Sequence, residues 1–479
     1  MLWKRYLGMY RDLQLFPCKV ILCFCILTVA GCTVGPNYQK PEQNLPGAWA
    51  GPAAAATATQ DLSQWWTEFG DPNLVSLIDR AIKSNLDLKQ AVSLIRQARA
   101  ARGVVSAGFW PTSDLTGSFD RSRSAGTTST SNLYQAGLDA AWELDIFGGT
   151  RRDIEAAKAD IQAAVEDYRD VLVTLTAEVA LNYVDLRGFQ QQIIIAKDNL
   201  TSQQHSAQLT RERFQGGFVS ALDVANADAL AATTASQIPL LEAAAQQTIY
   251  NLSVLLGLEP SALLAELSTS SKIPTGPPCV PLTIPSELLR RRPDIRRAEA
   301  KIHAATARIG VATAELFPKI SLSGSMGYQS RQFSSLTDSQ NRFWSFGPSA
   351  SWPIFDAGRI GSNIELQKAF QEQSLVVYRK TVLTALQDVE NALIASTKEQ
   401  EHRNALIEAV AANHKAVDLA TQLYTEGQTD FLNVLQAQRN LYTSEDALVQ
   451  STRDVSIDLV VLYKALGGGW SNESQAMDR

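Results

Sequence analysis

The sequence predicts an α+β membrane protein, internally duplicated, with four β-strands and long coiled-coil helices in each chain. Three observations carry this. Motifs recur in the same order about 210 residues apart. After two prolines, Pro111 and Pro318, the hydrophobic period changes from helical to two. Two segments of roughly sixty residues contain no Pro and hardly any Gly, which is long for a globular helix.

The repeat is the first element to justify. Val104-Val-Ser-Ala-Gly-Phe-Trp-Pro-Thr-Ser-Asp-Leu-Thr-Gly-Ser118 recurs as Val311-Ala-Thr-Ala-Glu-Leu-Phe-Pro-Lys-Ile-Ser-Leu-Ser-Gly-Ser325. Ala141-Trp142 matches Ser351-Trp352, and Ile146-Phe147 matches Ile354-Phe355. Arg213-Phe-Gln-Gly-Gly217 matches Leu423-Tyr-Thr-Glu-Gly427, and Leu255-Leu-Gly257 matches Ala465-Leu-Gly467. The period is too long for a solenoid, so a whole domain is duplicated. The expected organisation is a signal peptide over 1–31, an extended arm over 32–72 and a first repeat over 73–273. A Pro-rich linker over 274–285 leads to a second repeat over 286–467 and a tail over 468–479. The hairpins are expected at about 112–146 and about 319–355.

The strands alternate. Tyr134, Ala136, Leu138, Ala140, Trp142 and Leu144 share one face; Gln135, Gly137, Asp139, Glu143 and Asp145 share the other. Ile320, Leu322, Gly324, Met326 and Tyr328 oppose Lys319, Ser321, Ser323, Ser325 and Gln329. Trp344, Phe346, Pro348, Ala350, Trp352 and Ile354 oppose Ser345, Gly347, Ser349 and Ser351. Strands of about 10 residues suit a tilted membrane crossing with aromatic ends at its borders. A soluble hairpin resting on a core alternates in the same way, so the pattern alone leaves both readings open. Four strands cannot close a barrel, and an open edge cannot lie in lipid. Membrane-spanning strands therefore require several chains: two give about eight strands, three about twelve, four about sixteen.

The helices follow. From Asp153 to Arg213 only Gly188 interrupts, giving roughly 90 Å of helix. Ile154, Ile161, Tyr168 and Leu175 recur every seven residues, with Ala157, Ala164 and Val171 between them, as in a coiled-coil seam. Gly361 to Tyr424 is the counterpart, with Val382, Leu386, Val389 and Leu393 on its stripe. Asn73–Ala107 and Ser220–Gly257 are expected as shorter partner helices, the second kinked at Pro239. Gly217 and Gly427 end the long helices as left-handed caps and mark turns far from the strands.

Composition narrows function. Net charge is −6, and residues 1–31 hold Lys4, Arg5, Arg11 and Lys19 against Asp12, so the remainder is −9. An acidic chain is a poor nucleic-acid binder. The histidines His205, His303, His402 and His414 are dispersed, and no phosphate loop or nucleophile elbow occurs, so no cofactor, metal site or catalysis is expected. Of five cysteines only Cys279 lies in the body. Basic residues precede a short apolar run, Val20 to Ala30, that ends Leu27-Thr-Val-Ala-Gly31-Cys32. This has the size of a signal-peptide core and resembles a bacterial lipobox, with Cys32 as the lipidation site. An ordinary signal peptide that happens to contain Cys is the alternative. Thr33, rather than Asp, favours the outer membrane.

Taken together these motifs are similar to those of the outer-membrane factors of tripartite efflux and secretion systems, the TolC-like proteins, and most resemble their NodT-type lipoprotein branch. The residues carrying this are Cys32-Thr-Val-Gly-Pro-Asn-Tyr38, Trp65-Trp66 with Phe69 and Asp71, and Pro285-Ser-Glu-Leu-Leu-Arg-Arg-Arg-Pro-Asp-Ile295. Ala314-Glu-Leu-Phe-Pro318, Pro353-Ile-Phe355 and Leu462-Tyr-Lys-Ala-Leu-Gly-Gly-Gly-Trp470 extend the match over nearly all of the mature chain. The resemblance implies a trimeric TolC-like α/β barrel anchored in outer-membrane lipid, with a periplasmic helical tunnel. It implies passive exit of small molecules such as drugs, dyes or metal ions, handed over by a periplasmic adaptor and an inner-membrane pump of the RND type. A duct for type I protein secretion is the alternative within the family, and a coiled-coil periplasmic spacer outside it. The resemblance also implies a periplasmic gate at Asp223, Tyr424, Asp430, Asn433 and Gln436, with Arg213, Gly217 and Gly427 at the tip turns and adaptor contact. Asn433 and Gln436 are neutral where the best-known member is acidic. The simpler role for Asp223 is a cap at a helix start.

Overall fold

The computed structural model describes residues 33–43, 45–50, 62–123, 125–126, 129–277 and 285–471. The signal peptide, Cys32, Cys279 and residues 472–479 of the tail lie outside the described residues. After a short 3-10 helix at Trp65–Phe69 come α1 (Pro72–Ser84), α2 (Leu86–Ala107), β1 (Thr112–Ser122) and β2 (Ser131–Leu144). There follow α3 (Gly149–Gln215), α4 (Ala221–Leu255), the short α5 (Leu264–Leu267), α6 (Pro285–Arg291) and α7 (Pro293–Ala314). The chain ends with β3 (Lys319–Ser330), β4 (Arg342–Ser351), α8 (Arg359–Thr425) and α9 (Phe431–Ala465). The duplication is visible in lengths alone. α2 and α7 have 22 residues each, α3 and α8 have 67, and α4 and α9 have 35.

Two compact units form, each built from both repeats. One joins the described residues up to Glu42 with Leu94–Ala164 and Arg297–Arg379; the other joins the described parts of Gln43–Ser93, Val165–Arg296 and the segment from Lys380.

In the first unit the strands make one antiparallel sheet in the order β1-β2-β3-β4. The two hairpins meet through β2 and β3, paired from Tyr134↔Ser330 to Leu144↔Ile320. Each hairpin is tied to the helix before it. The Trp142 indole donates to the Phe109 carbonyl at 3.0 Å, and Trp352 does the same to Leu316 at 3.0 Å. Each long helix starts on an aspartate. Asp145 accepts from the Thr150 and Arg151 N–H groups at 3.1 and 2.9 Å; Asp356 accepts from Gly358 and Ile360 at 3.0 and 2.8 Å. The bond from Ile360 is the main reason the Asp356 carboxyl is held below its usual range. Such anions satisfy the orphan donors of a first turn.

Of the seam expected on α3, Ala157 and Leu175 are buried and Tyr168 and Val171 partly buried, while Ile154, Ile161 and Ala164 are half-buried; Ala156, Ala159 and Ala163 are buried as well. At the start of α3 the approach to α7 is close: a Cβ on Gly149 would lie 3.2 Å from the Ala314 Cβ of α7, and one on Gly310 would lie 2.8 Å from the Arg152 side chain. The segment 33–40 is laid against the same pair. Val34 N–H donates to the Phe147 carbonyl at 3.1 Å, and Arg152 donates to Val34 and Asn37 at 3.1 and 2.6 Å. Tyr38 stacks on His303 at 4.4 Å and donates to Glu299 at 3.2 Å. Gly35 has φ +86°, and its Cβ would lie 2.5 Å from the Gly310 Cα, so only glycine fits.

The second unit holds the larger core. Trp65, 2% exposed, stacks on Tyr463 at 5.1 Å, with Leu74, Leu77, Ile78, Leu252 and Val460 around it. Val382, Val389 and Leu393 are buried on the α8 stripe as expected, with Leu386 partly so. Asp71 caps α1 by accepting from Asn73 and Leu74 at 2.8 and 3.3 Å, and its second oxygen accepts from the Tyr183 hydroxyl at 2.8 Å. Burial, then Asp71, pushes the Tyr183 phenol up to about 12. Trp470 lies between the Arg169 and Arg296 guanidinium groups, 4.5 and 5.1 Å from its ring, and both arginines pair with Glu166 at 2.6 and 2.8 Å.

Two expectations need correction. The helix expected over Asn73–Ala107 is broken at Asn85, whose ψ of 138° is extended. Its side chain accepts from the Leu88 N–H at 3.0 Å and donates to the Leu255 carbonyl at 2.8 Å, so it caps one helix and pins the end of another. The linker expected to run to Pro285 ends earlier, because Pro285 is the first residue of α6. α4 continues through Pro239.

Candidate functional site

The four strands place their apolar residues in unbroken rows. Leu115 opposes Leu138, Leu138 opposes Met326, and Met326 opposes Trp344. Trp142, Leu322 and Pro348 form a second row; Leu144, Ile320 and Ala350 form a third. Nothing among the described residues covers this face: Leu115 is 81% exposed, Trp344 77%, Phe346 70% and Met326 57%. A soluble hairpin would bury it, so the uncovered face decides between the two readings of the alternation. The other face is mostly polar, with Leu133, Ala141 and Phe343 as its apolar members. Asp114, Asp139, Ser325 and Ser345 form its central row. Thr116 donates to Asp139 at 2.8 Å, and the hydroxyls of Ser325 and Ser345 meet at 2.7 Å.

Aromatic rings gather at both ends. Phe119 stacks on Tyr134 at 4.6 Å, and Phe333 meets Tyr134 edge-on at 5.6 Å. At the helical end lie Trp142, Trp352, Phe109 and Trp110. From Tyr134 to Trp142 is about 26 Å along the strand, the height of an outer-membrane apolar band. Where the polar face reaches the helices, a cavity of about 210 Å³ carries Glu143, Asp145, Asp153, Glu315 and Lys319 on its wall.

The turns between long and short helices lie in the second unit and differ from each other. Gly217 and Gly427 have φ of 80° and 77°, as the sequence predicts for left-handed caps. At the first turn Ser220 and Asp223 form a reciprocal capping box. Ser220 N–H and Oγ–H donate to Asp223 Oδ2 at 2.9 and 2.8 Å, and Asp223 N–H donates to Ser220 Oγ at 3.3 Å. Asp223 thus fills the simpler role foreseen for it. At the second turn Asp430 is the N-cap residue without a side-chain cap bond, Asn433 donates to the Thr429 hydroxyl at 2.6 Å, and Gln436 donates to Asn440 at 2.8 Å.

Tyr424 is not on the surface. It is 3% exposed, packed with Phe431, Ala207, Ala227, Val434 and Leu435, and its hydroxyl has no partner among the described residues. Arg213 holds it from above: the guanidinium lies 4.5 Å from the ring centroid and donates to the Tyr424 carbonyl. This bond joins the ends of the two long helices. Sequence reading named both residues but not their contact, because nothing local in either tip reports it.

Among the described residues no group of three His, Cys, Asp or Glu is arranged to hold a metal. His303, His402 and His414 each face a single glutamate at 3.0 Å. No described helix is long and apolar enough to cross a membrane, which says nothing of a β-barrel.

Comparison with known proteins gives this architecture a family. Residues 77–258 and 284–468 match the outer membrane efflux protein family. Nodulation protein T of Rhizobium leguminosarum bv. trifolii is 33% identical over 462 residues, covering 95% of this chain and 98% of that one. The pyoverdine export outer membrane protein OpmQ of Pseudomonas aeruginosa is 34% identical over 471 residues, 96% of this chain and 98% of that one. The solved structure of the outer-membrane channel OprN has a TM-score of 0.86 and 38% identity, over 92% of this chain and 100% of that one. With its fold, its sheet and its sequence in agreement, this chain is an efflux channel subunit of the outer membrane and belongs to the outer membrane efflux protein family.

Proposed function

We propose that the protein is the homotrimeric exit duct of a tripartite efflux system. In this reading small molecules leave passively after delivery by an RND-type inner-membrane pump and a periplasmic adaptor. The observation that carries the proposal is the apolar sheet face, uncovered over four strands, beside a polar face of serines and carboxylates. Three chains supply about twelve strands, enough to close a water-filled barrel. The two repeats each supply one hairpin and one tip, and the Pro-rich linker ahead of Pro285 joins them. The long helices form the periplasmic tunnel.

Cys32 carries the lipid. Support comes from the next residue: a Cβ on Gly148, at the foot of the sheet, would lie 2.8 Å from Thr33. Asp223, Tyr424, Asp430, Asn433 and Gln436 act as the periplasmic gate, and the turns at Arg213, Gly217 and Gly427 meet the adaptor. The gate is weakly charged, because Asn433 and Gln436 are neutral and Asp223 is held in its capping box. Tyr424→Phe removes a buried hydroxyl that makes no bond among the described residues, so any leak it causes reports a change in the packing under Arg213.

Conductance of the purified oligomer in liposomes tests the duct. A heat-modifiable, SDS-resistant oligomer that conducts once its tip is loosened by Asp223→Ala is the expected result. A membrane-bound protein that never conducts rejects the duct, and a chain lacking the resistant oligomer favours a spacer. Vancomycin entry and conductance unchanged in both Asp223→Ala and Tyr424→Phe would remove those residues from the gate.

A further inference from the structure

The uncovered apolar face of the sheet is charged at one border only. In the four strands, Arg121 of β1 and Arg342 of β4 are the charged members of this face. The strand carboxylates, Asp114, Asp120, Asp139 and Glu143, all lie on the polar face, as does Lys319. Both arginines are at the end of the sheet away from the helices. Arg121 opposes Asn132, one position beyond the stacked Phe119 and Tyr134. Arg342 opposes Tyr328, one position inside that stack, in a row completed by Ala136 and Gly117. The helical border of the same face ends on Leu144, Ile320 and Ala350.

An arginine on a lipid face is costly unless its guanidinium reaches water or an anion. Nothing in the chain neutralises either charge: both residues are exposed, and among the described residues no carboxylate pairs with them. From inside the aromatic border the Arg342 side chain can run outward to the headgroup level with its stem in the apolar layer. Its row is low where Gly117 and Ala136 sit. The nearest atom of another residue to a Cβ on Gly117 would be the Gln135 carbonyl oxygen, at 3.9 Å. Phe119 on one side and Leu115 on the other, 54% and 81% exposed, stand above this hollow. Basic side chains at a membrane border recognise anionic headgroups, and a guanidinium takes phosphate through two parallel N–H···O bonds.

We propose that this border is a lipid-binding site: Arg342 and Arg121 pair with the phosphate groups of outer-leaflet glycolipid, and an acyl chain lies over Gly117 and Ala136. The order of the chemistry fits such a ligand, with apolar rows toward the helices, an aromatic pair above them and two guanidinium groups at the outer end. With the helices in the periplasm, that end faces the outer leaflet, where phosphorylated glycolipid is the anionic component. The Tyr328 hydroxyl, in the row of Arg342, is a further donor to the headgroup. The proposal rests on the outer-membrane duct proposed above and adds to it a site, two residues and a class of lipid.

Reconstitution of the full-length oligomer tests it, in vesicles of phosphatidylcholine alone or with a minor share of bisphosphorylated lipid A, dephosphorylated lipid A or phosphatidylglycerol. The readouts are the temperature at which the SDS-resistant oligomer dissociates and the lipid retained per oligomer after detergent extraction, measured by mass spectrometry. Bisphosphorylated lipid A should be retained and should raise that temperature; the other two lipids, and inorganic phosphate added to plain vesicles, should not. Arg342→Gln with Arg121→Gln should lower retention about ten-fold and abolish the shift. Arg342→Lys, which keeps the charge, should retain more lipid than Arg342→Gln, and Lys319→Gln, on the polar face, should change neither readout. Equal retention of the two forms of lipid A, or retention that the double variant leaves intact, overturns the site. An equal effect of phosphatidylglycerol or of inorganic phosphate overturns the assignment to glycolipid. These results leave the duct standing, since conductance in plain vesicles is read separately. A chain that forms no resistant oligomer in any vesicle overturns the duct and the site together.

Discussion

α2 and α7 are the same 22-residue element in the two repeats, yet the second half of α2 is open while that of α7 is buried. In α7, Ile302, Ala304, Ala305, Ala307 and Ile309 are buried. In α2, the stretch from Arg99 to Ala107 has no buried residue, and Val104 is 77% exposed. The strands divide likewise. β1 is exposed along its whole length, whereas β3 is mostly half-buried. Composition does not separate the copies. Position does: the second copy of α2 and β1 receives the first repeat's long helix and hairpin, and the first copy has no equivalent inside the chain. A duplicated domain can thus keep one scaffold and cover it in one copy while leaving it open in the other.

A second contrast lies at the helix breaks. Asn85 and Arg292 occupy the same place, before α2 and α7, and each donates to the last carbonyl of a short helix, Asn85 to Leu255 at 2.8 Å and Arg292 to Ala465 at 3.1 Å. Arg292 also pairs with Asp294 and Asp388 at 2.8 and 3.1 Å. Those carboxylates hold its guanidinium pKa up against the opposing pull of burial, the largest single influence on it. Of all the substitutions, Arg292→Ala should therefore have the largest effect. It strands two carboxylates and should cost about 3–5 kcal/mol, read as a lower dissociation temperature of the oligomer. Asn85→Ala should cost about 1–2 kcal/mol in the same assay. Equal losses would break the contrast between a charged and a neutral staple.

The two sheet faces give the next effect. Met326→Arg on the uncovered face should cost about 2–4 kcal/mol of membrane stability and sharply lower the yield of inserted oligomer. Ser325→Arg, one residue away on the polar face, should insert normally. If both insert equally, the apolar face is not the lipid face.

The packed helices offer a pH contrast. Burial, then Glu399 and Asp454, push the Asp458 carboxyl up to about 6 from 3.8. A folded value above the unfolded one means the folded state binds the proton more tightly, so the group weakens the fold above about pH 6 and the penalty fades as pH falls toward 4. Asp458→Asn should raise stability at pH 8 by about 1 kcal/mol, the shift being discounted because the carboxylate keeps contact with water, and the gain should vanish near pH 4. Thermal melts at the two pH values check this.

The smallest effect separates the tips. Ser220→Ala removes the capping box and should cost about 1 kcal/mol, seen as faster hydrogen exchange of the first amides of α4. Asp430→Ala, which loses no side-chain cap bond, should leave α9 exchange unchanged.

Much of this was legible in the residues. Period two after Pro111 and Pro318 identified the strands and their faces, because a strand's side chains must alternate. The long helices were legible from the lack of breakers, and each runs only a few residues further than expected. The break at Arg292 was marked by Pro293; its partner at Asn85 was hidden, since asparagine breaks a helix only when its side chain finds better partners than the helix offers. The α3 seam was legible in part: Ala157 and Leu175 are buried where the heptads put them, but Ile154 and Ile161 are only half-buried, because the heptad pattern reports apolarity, not how closely two backbones approach. At the tips, Asp223 was legible as a cap because acids are favoured at a helix start. The burial of Tyr424 under Arg213 was not, because it depends on two turns more than two hundred residues apart.

By itself the sequence determined the duplication, the strand faces, the lengths of the two long helices and the need for more than one chain, since each follows from local periodicity or from counting strands against lipid. Only the tertiary structure decided that β2 pairs with β3, that α3 meets α7 through Gly149, Arg152, Glu155 and Asp160, and that one repeat is covered while the other stays open. Those outcomes depend on which element lies beside which, and no local pattern encodes a neighbour.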